Sequence, residues 1–142
     1  MLISSETIKE IAEQLDCGFR AFIHKKTNEM IFIPNEDDLP GIDKKSWKED
    51  LKKLKSKEYY EIDKWSTQYA YNIMVDFTEL PTLSKKVKNK LIQTLDKNGP
   101  FRHFKYEIDQ LNTERQEWFD FKNKCQEDYV LDQLRMLHQS QG

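Results

Sequence analysis

The feature that most constrains the fold is a pair of β-type runs in a chain that is otherwise patterned as helix. Residues 19–24 and 30–33 are rich in Phe and Ile, and the polar segment 25–29 separates them. Asn28 in that segment tolerates a left-handed backbone conformation, which suits a turn. We therefore predict a β-hairpin over residues 19–33. A hairpin is only marginally stable alone, so it must bury a face against the rest of the chain.

Elsewhere the apolar side chains recur at helical spacing, and residues with good N-capping side chains precede several of these stretches. Six helices are predicted, with starts at Ser4 or Ser5, Asp43, Ser66, Thr82 or Ser84, Phe101, and Asn112 or Thr113. The alternation at residues 59–65 allows a third strand. The predicted class is α+β, with a small antiparallel sheet packed against a mainly helical layer.

Length and composition predict one domain over residues 1–142. The chain has only four Gly and four Pro, and no linker or repeat divides it. No apolar run approaches the roughly 20 residues that cross a bilayer, so no membrane contact is expected. The N-terminus lacks a signal pattern, and the two cysteines, Cys17 and Cys125, have no paired spacing. These features are typical of a cytoplasmic protein with reduced thiols.

The turn before the fifth predicted helix presents the first candidate binding surface. Residues 98–100 are Asn-Gly-Pro, and a helix from Phe101 would direct Phe101 and Phe104 inward while Arg102 and His103 face solvent, with Lys105 on a flank. Free N–H groups at the helix start and a nearby Arg suit a phosphate or carboxylate. The alternative is an ordinary solvated helix face whose cations pair with neighbouring acids.

The last predicted helix extends this surface. Trp118, Phe121, Cys125 and Tyr129 form a core stripe, and the final helix is expected to pack beside the preceding one. That packing would bring Arg115 and Lys122 to the same surface. A second stripe, containing Val130, Leu134 and Leu137, lies elsewhere around the helix and makes a homodimer through the C-terminal helix a further expectation.

Two lysine-rich blocks raise a nucleic-acid hypothesis. Residues 41–57 carry seven Lys against three acids, and residues 84–105 carry seven bases against one acid. The lysines of the predicted helix after Ser84 do not form one stripe, and the chain has only four Arg. Acidic segments flank both blocks, and the net charge is −2. Nucleic-acid binding therefore stays an alternative rather than the first interpretation.

Motifs for catalysis are missing from the sequence. The three His have no metal-ligand spacing, and no nucleophile motif or phosphate-binding glycine loop occurs. We expect no cofactor, no metal site and no catalytic residue, although an enzyme with an unrecognised site remains an alternative.

Three segments together resemble one family. Residues 22–29 (Phe-Ile-His-Lys-Lys-Thr-Asn-Glu), 98–105 (Asn-Gly-Pro-Phe-Arg-His-Phe-Lys) and 117–122 (Glu-Trp-Phe-Asp-Phe-Lys) are similar, in order and spacing, to segments of uncharacterised protein family 0158. The resemblance implies a small bacterial protein and brings no assigned activity. His103 stands where the family pattern has a second Arg, which would make binding there sensitive to pH.

We therefore expect a non-catalytic protein-interaction or regulatory module with an unidentified protein partner. The binding surface predicted from the sequence comprises Arg102, His103, Lys105, Arg115 and Lys122.

Overall fold

The computed structural model describes residues 3–36 and 44–140, which fold into an α+β structure. Strands β1, β2 and β3 comprise Phe19–His24, Met30–Pro34 and Tyr59–Ile62. A short 3₁₀ helix at Lys44–Trp47 leads into the second of six α-helices formed by these residues. In chain order the α-helices are α1 (Ser5–Asp16), α2 (Lys48–Leu54), α3 (Thr67–Thr78), α4 (Lys85–Leu95), α5 (Pro100–Asp109) and α6 (Thr113–Ser140). The predicted fold class is confirmed.

The three strands form one antiparallel sheet with β1 at its centre, in the order β2-β1-β3. β1 and β2 form the predicted hairpin, with Phe22 opposite Ile31. β3 pairs with the other edge of β1, with Tyr60 opposite Ile23. The hairpin over residues 19–33 is therefore confirmed, and the third strand exists.

The third strand is shorter than the predicted 59–65, because β3 ends at Ile62. The side-chain amide of Gln133 takes over the backbone hydrogen bonds at this point. Its Oε1 accepts the N–H of Asp63 at 2.8 Å, and its Nε2 donates to the carbonyl of Asp63 at 2.6 Å. Both backbone groups of Asp63 are thus satisfied by a side chain from α6 rather than by another strand.

The hairpin turn is held by His24 and Asn28. The Nδ1 of His24 accepts the backbone N–H groups of Lys26 and Thr27, each at 3.1 Å. Asn28 has φ 62°, the left-handed conformation for which Asn is well suited. The imidazole also meets the ring of Tyr59 edge-on, with 5.0 Å between centroids. The turn is therefore fixed by local backbone capping and by a contact with β3.

Serine side chains cap three of the helices, as the sequence predicts. The Oγ atoms of Ser4, Ser66 and Ser84 accept backbone N–H groups three residues further on, at 3.2, 3.0 and 3.2 Å. Each bond satisfies one of the N–H groups that a helix start leaves without an intrahelical partner. The predicted cap at Asp43 lies outside the described residues.

The chain divides into two compact units. The first contains the residues up to Lys64 together with those from Gln126 onward, and the second is Trp65–Cys125. The boundary falls within α6, which contributes residues to both units. The single domain expected over residues 1–142 stays a prediction.

Helices cover both faces of the sheet in the first unit. On one face, side chains of β1 and β3 pack against α1 and the C-terminal part of α6, in a core formed by Ile8, Ile11, Ala12, Leu15, Ala21, Ile23, Ile62, Val130 and Leu134. On the other face, Phe22, Ile31 and Ile33 are buried with Trp47 and Leu54 packed on them. The sequence predicts a helical layer on one face. The structure adds α2 on the second, because β1 is apolar on both sides.

The second unit is a helical cluster centred on aromatic rings. Phe77 of α3 meets Trp118 of α6 at 5.2 Å between centroids, and Phe104 of α5 meets the same Trp118 at 4.9 Å. Leu91 of α4 and Ile108 of α5 complete the buried set. The predicted packing of the last helix beside α5 is therefore confirmed.

An exposed ion pair joins α2 to the hairpin. The Nζ of Lys53 lies 3.1 Å from Oε1 of Glu29, and the hydroxyl of Tyr59 donates to Oε2 at 3.3 Å. The hydrogen bond from Lys53, and then its charge, hold the pKa of Glu29 below its ordinary value. The carboxylate form is therefore favoured in the folded chain.

This pair makes a small contribution to stability that depends on pH. Because the pKa of Glu29 is lower in the folded than in the unfolded chain, the contribution is present above the ordinary carboxyl pKa and is lost as the pH falls through the folded value. We expect Glu29→Gln to lower the urea midpoint at neutral pH and to match the unmodified chain in acid. A midpoint difference that does not change with pH would contradict this account.

Candidate functional site

The cations predicted at α5 lie on its exposed side. Arg102 and Lys105 are exposed and His103 is partly exposed. Phe104 is buried as predicted, but Phe101 is 40% exposed, so its predicted inward orientation is wrong. The helix begins at Pro100, and its first turn extends past the buried cluster that Phe104 enters. Periodicity identifies the inward face of a helix and not where the core beneath it ends.

The turn before α5 depends on Gly99. Gly99 has φ 71°, and a methyl group built on it would lie 3.6 Å from Nη2 of Arg102. The guanidinium therefore lies beside the turn, and an added methyl group would be at ordinary van der Waals distance from it. The backbone conformation, rather than lack of space, is what favours glycine here.

Substitutions at Gly99 should follow backbone preference. We expect Gly99→Ala to lower the free energy of unfolding by about 1 kcal/mol, because an alanine is strained in the left-handed region. Gly99→Asn should cost about half as much or less, since Asn tolerates that region. Urea denaturation of both variants measures the difference. Equal losses would contradict the assignment of a left-handed turn.

The structure describes both of the cations predicted on α6. The Nε of Arg115 lies 3.4 Å from Oδ1 of Asp109, and its guanidinium lies 4.7 Å from the ring centre of Phe119. Lys122 is partly exposed. Arg115 is therefore already held by a carboxylate and a ring. The ligand-binding role of Arg102, His103, Lys105, Arg115 and Lys122 stays a prediction.

A second candidate site lies in the first unit, between the sheet and α2. It is an open groove of about 1150 Å³, which we call the α2 groove. Its lining consists of five cationic and four apolar residues: Arg20, Lys45, Lys48, Lys52 and Lys55 with Phe22, Ile33, Leu51 and Leu54. The sheet supplies Arg20, Phe22 and Ile33, and the rest come from the 3₁₀ helix, from α2 and from Lys55 directly after α2.

Helical spacing puts the lysines of α2 on one side of the groove. Lys48, Lys52 and Lys55 follow one another at intervals of four and three residues, which places them on the same helix face. All three are exposed, and no ion pair within residues 3–36 and 44–140 engages any of them. The α2 groove therefore has a row of solvated positive charges along one wall.

Arg20 on the opposite wall is held by an acid. Its Nη2 and Nε lie 2.8 and 3.0 Å from the two carboxylate oxygens of Glu61, and its guanidinium lies 5.1 Å from the ring centre of Phe22. The hydrogen bond to Glu61 raises the pKa of Arg20 above its ordinary value, and the charges of Glu61 and Glu36 add to this. The bidentate bond fixes the guanidinium in place.

The lining side chains of the α2 groove carry few kinds of functional group. In the part of the chain that the structure describes, nine side chains line the groove, and none of them has a carboxylate, imidazole, thiol or hydroxyl group. Such a surface offers positive charge and apolar contact, and it lacks the groups that most often act as a general base or as a nucleophile beside one. It can bind an anionic ligand that also has apolar parts.

The α2 groove was not predicted from the sequence, although a signal exists. The block 41–57 is rich in lysine, and the predicted helix carries Trp47, Leu51 and Leu54 on one side. The lysine spacing at 45, 48, 52 and 55 would have shown a single charged face. The contribution of the sheet, by contrast, depends on long-range packing that spacing cannot reveal.

The described residues were also compared with the requirements of a metal site and of a membrane-spanning helix. In residues 3–36 and 44–140, no cluster of three or more His, Cys, Asp or Glu side chains is arranged to hold a metal ion. No helix in the same part of the chain has the length and apolar character needed to span a bilayer.

Comparison with known proteins identifies a family. A search of the curated proteins found no match, and a search of the solved structures also found none. The profile of the uncharacterised protein family UPF0158 matches residues 1–141, nearly the whole chain. The resemblance noted in the three short segments thus extends over the sequence, and the chain belongs to the UPF0158 family.

Proposed function

We propose that this UPF0158 protein is a non-catalytic binding module whose ligand site is the α2 groove, and that its partner is anionic. The observation that carries the proposal is the composition of the lining, which among the described residues has five cations, four apolar residues and no acid. A negatively charged partner meets unlike charge along the wall that carries Lys48, Lys52 and Lys55. The lack of a typical base or nucleophile in the lining supports binding rather than catalysis.

The α2 groove is a better candidate than the surface predicted at α5 and α6. It is a concave site with apolar side chains at its floor, which is the usual form of a ligand site. Arg115 of the predicted surface is already paired with Asp109 and stacked on Phe119. Lys48, Lys52 and Lys55 of the α2 groove, in contrast, have no ion pair among the described residues.

Charge reversal on α2 tests the proposal. The probe is a fluorescein-labelled oligoglutamate, and its fluorescence anisotropy is measured with Lys48→Glu/Lys52→Glu. We expect the Kd to rise at least about tenfold, because two nearby attractions become repulsions. The matched control is Lys85→Glu/Lys86→Glu, which makes the same change in net charge at two exposed lysines of α4.

The control variant should bind within about twofold of the unmodified chain. Equal weakening by both variants would show that only net charge matters and would refute the proposal. Unchanged binding by the α2 variant would also refute it. Far-UV circular dichroism of each variant confirms that a loss of binding is not a loss of fold.

A further inference from the structure

We infer that the occupant of the α2 groove is an acidic peptide segment with an aliphatic anchor, rather than a nucleic acid. This inference rests on the proposed function and specifies its ligand. Three features of the groove carry it: an accessible leucine, an arginine already paired with an acid, and no exposed ring among the lining residues that the structure describes.

Leu51 provides the apolar contact. It lies on α2 between the flanking lysines and is 36% exposed, whereas Phe22 and Ile33, which line the same groove, are 8% and 5% exposed. An aliphatic side chain entering the groove would cover Leu51 and come close to the buried floor. Removing that surface from water favours a ligand with an apolar side chain over one that carries only charge.

Two features disfavour a nucleic acid. The guanidinium of Arg20 donates hydrogen bonds to both carboxylate oxygens of Glu61. The Nε and Nη2 donors are therefore not available for a bidentate contact with a phosphate. Single-stranded nucleic acids are held largely by stacking of bases on exposed aromatic rings. Among the described lining residues the one aromatic ring is that of Phe22, which is almost completely buried.

The spacing of the lysines limits the size of the bound segment. Lys48 and Lys55 are seven positions apart along a helix, which corresponds to about 10 Å. An extended peptide covers that distance with roughly three residues. The groove therefore fits a short segment in which carboxylates flank one aliphatic side chain.

A pair of peptides with equal charge tests this inference. One alternates Glu with Leu, and the other alternates Glu with Ser. We expect the Leu peptide to bind about tenfold more tightly, which is the effect of burying one aliphatic side chain. Leu51→Ser should weaken the Leu peptide by a similar factor and leave the Ser peptide unchanged. Ile92→Ser, at a residue of similar exposure on α4, should affect neither peptide.

The outcomes separate the two proposals. Equal affinity for the two peptides, or no effect of Leu51→Ser, would overturn the aliphatic anchor while leaving an anion-binding groove. Tighter binding of oligothymidylate than of the Leu peptide would assign the groove to nucleic acid and overturn the inference. Binding of neither peptide would refute the proposed function itself. Circular dichroism shows whether Leu51→Ser remains folded, and Leu51→Ala provides a milder variant of the same change.

Discussion

Replacing Phe77 with alanine is expected to lower the free energy of unfolding by about 4 kcal/mol. Phe77 is 0% exposed, and its ring meets those of Trp118 and Phe121 at centroid distances of 5.2 and 5.5 Å. The change removes most of a buried aromatic side chain and leaves a cavity between α3 and α6. Both ring contacts are lost as well. A domain of this size is typically stable by only about 5–15 kcal/mol, so the loss is large.

Urea denaturation followed by circular dichroism measures this effect. Ile92→Ala is the control, because Ile92 is 38% exposed on α4 in the same unit and should cost less than about 1 kcal/mol. A loss for Phe77→Ala no larger than that of the control would contradict the placement of this ring at the centre of the second unit.

The second large effect is expected for Ile11→Ala in the first unit, at about 3 kcal/mol. Ile11 lies on α1, is 0% exposed and belongs to the core shared by the sheet, α1 and the C-terminal part of α6. The helix itself should tolerate the change, because alanine is a good helix former. The cost therefore reports the packing of α1 on the sheet.

The matched control is Met136→Ala, at a side chain that is 67% exposed on α6. It should change the urea midpoint very little. A small effect of Ile11→Ala, close to that of the control, would mean that α1 does not pack on the sheet as described.

Together these variants also test the single-domain prediction for residues 1–142. Trp47 lies in the first unit, whereas Trp65 and Trp118 lie in the second. A single cooperative domain predicts that either variant shifts one common transition, detected equally by circular dichroism and by Trp fluorescence. Two separate transitions, of which Phe77→Ala moves only one, would contradict that prediction.

Local signals account for the parts of the fold that were predicted well. The hairpin depends on a turn at Asn28, and the starts of α1, α3 and α4 depend on serine caps. Each involves residues that are close in sequence, so composition and spacing are sufficient to detect them. The inward positions of Phe104 and Ile108 follow from helical periodicity in the same way.

The errors arose where residues distant in sequence determine the structure. β3 ends early because of hydrogen bonds from Gln133, seventy residues further along the chain. Phe101 is exposed because the core beneath α5 does not extend to its first turn. α2 covers the second face of the sheet because Phe22, Ile31 and Ile33 form an apolar surface there. None of these relations has a local pattern in the sequence.

The candidate site could not be predicted from the sequence for the same reason, because it depends on residues that are distant along the chain. The cations at 102–105 are a candidate site in the sequence because they follow an unusual Gly-Pro turn, which is a local feature. The lysines of α2 are ordinary by local criteria, and they become a candidate site only when Arg20, Phe22 and Ile33 of the sheet lie opposite them. Charge in a sequence block shows that cations exist and does not show which side chains face them across a groove.

The proposal that the α2 groove is the binding site is tested most directly by amide NMR shift mapping. The ¹⁵N-labelled full chain is titrated with the alternating Glu-Leu peptide, and the shift change of each backbone amide is followed. The account predicts the largest changes in the 3₁₀ helix, in α2 and at Arg20 and Phe22 of β1. Largest changes at Arg102, His103 and Lys105, or changes spread evenly over exposed lysines on both units, would contradict it.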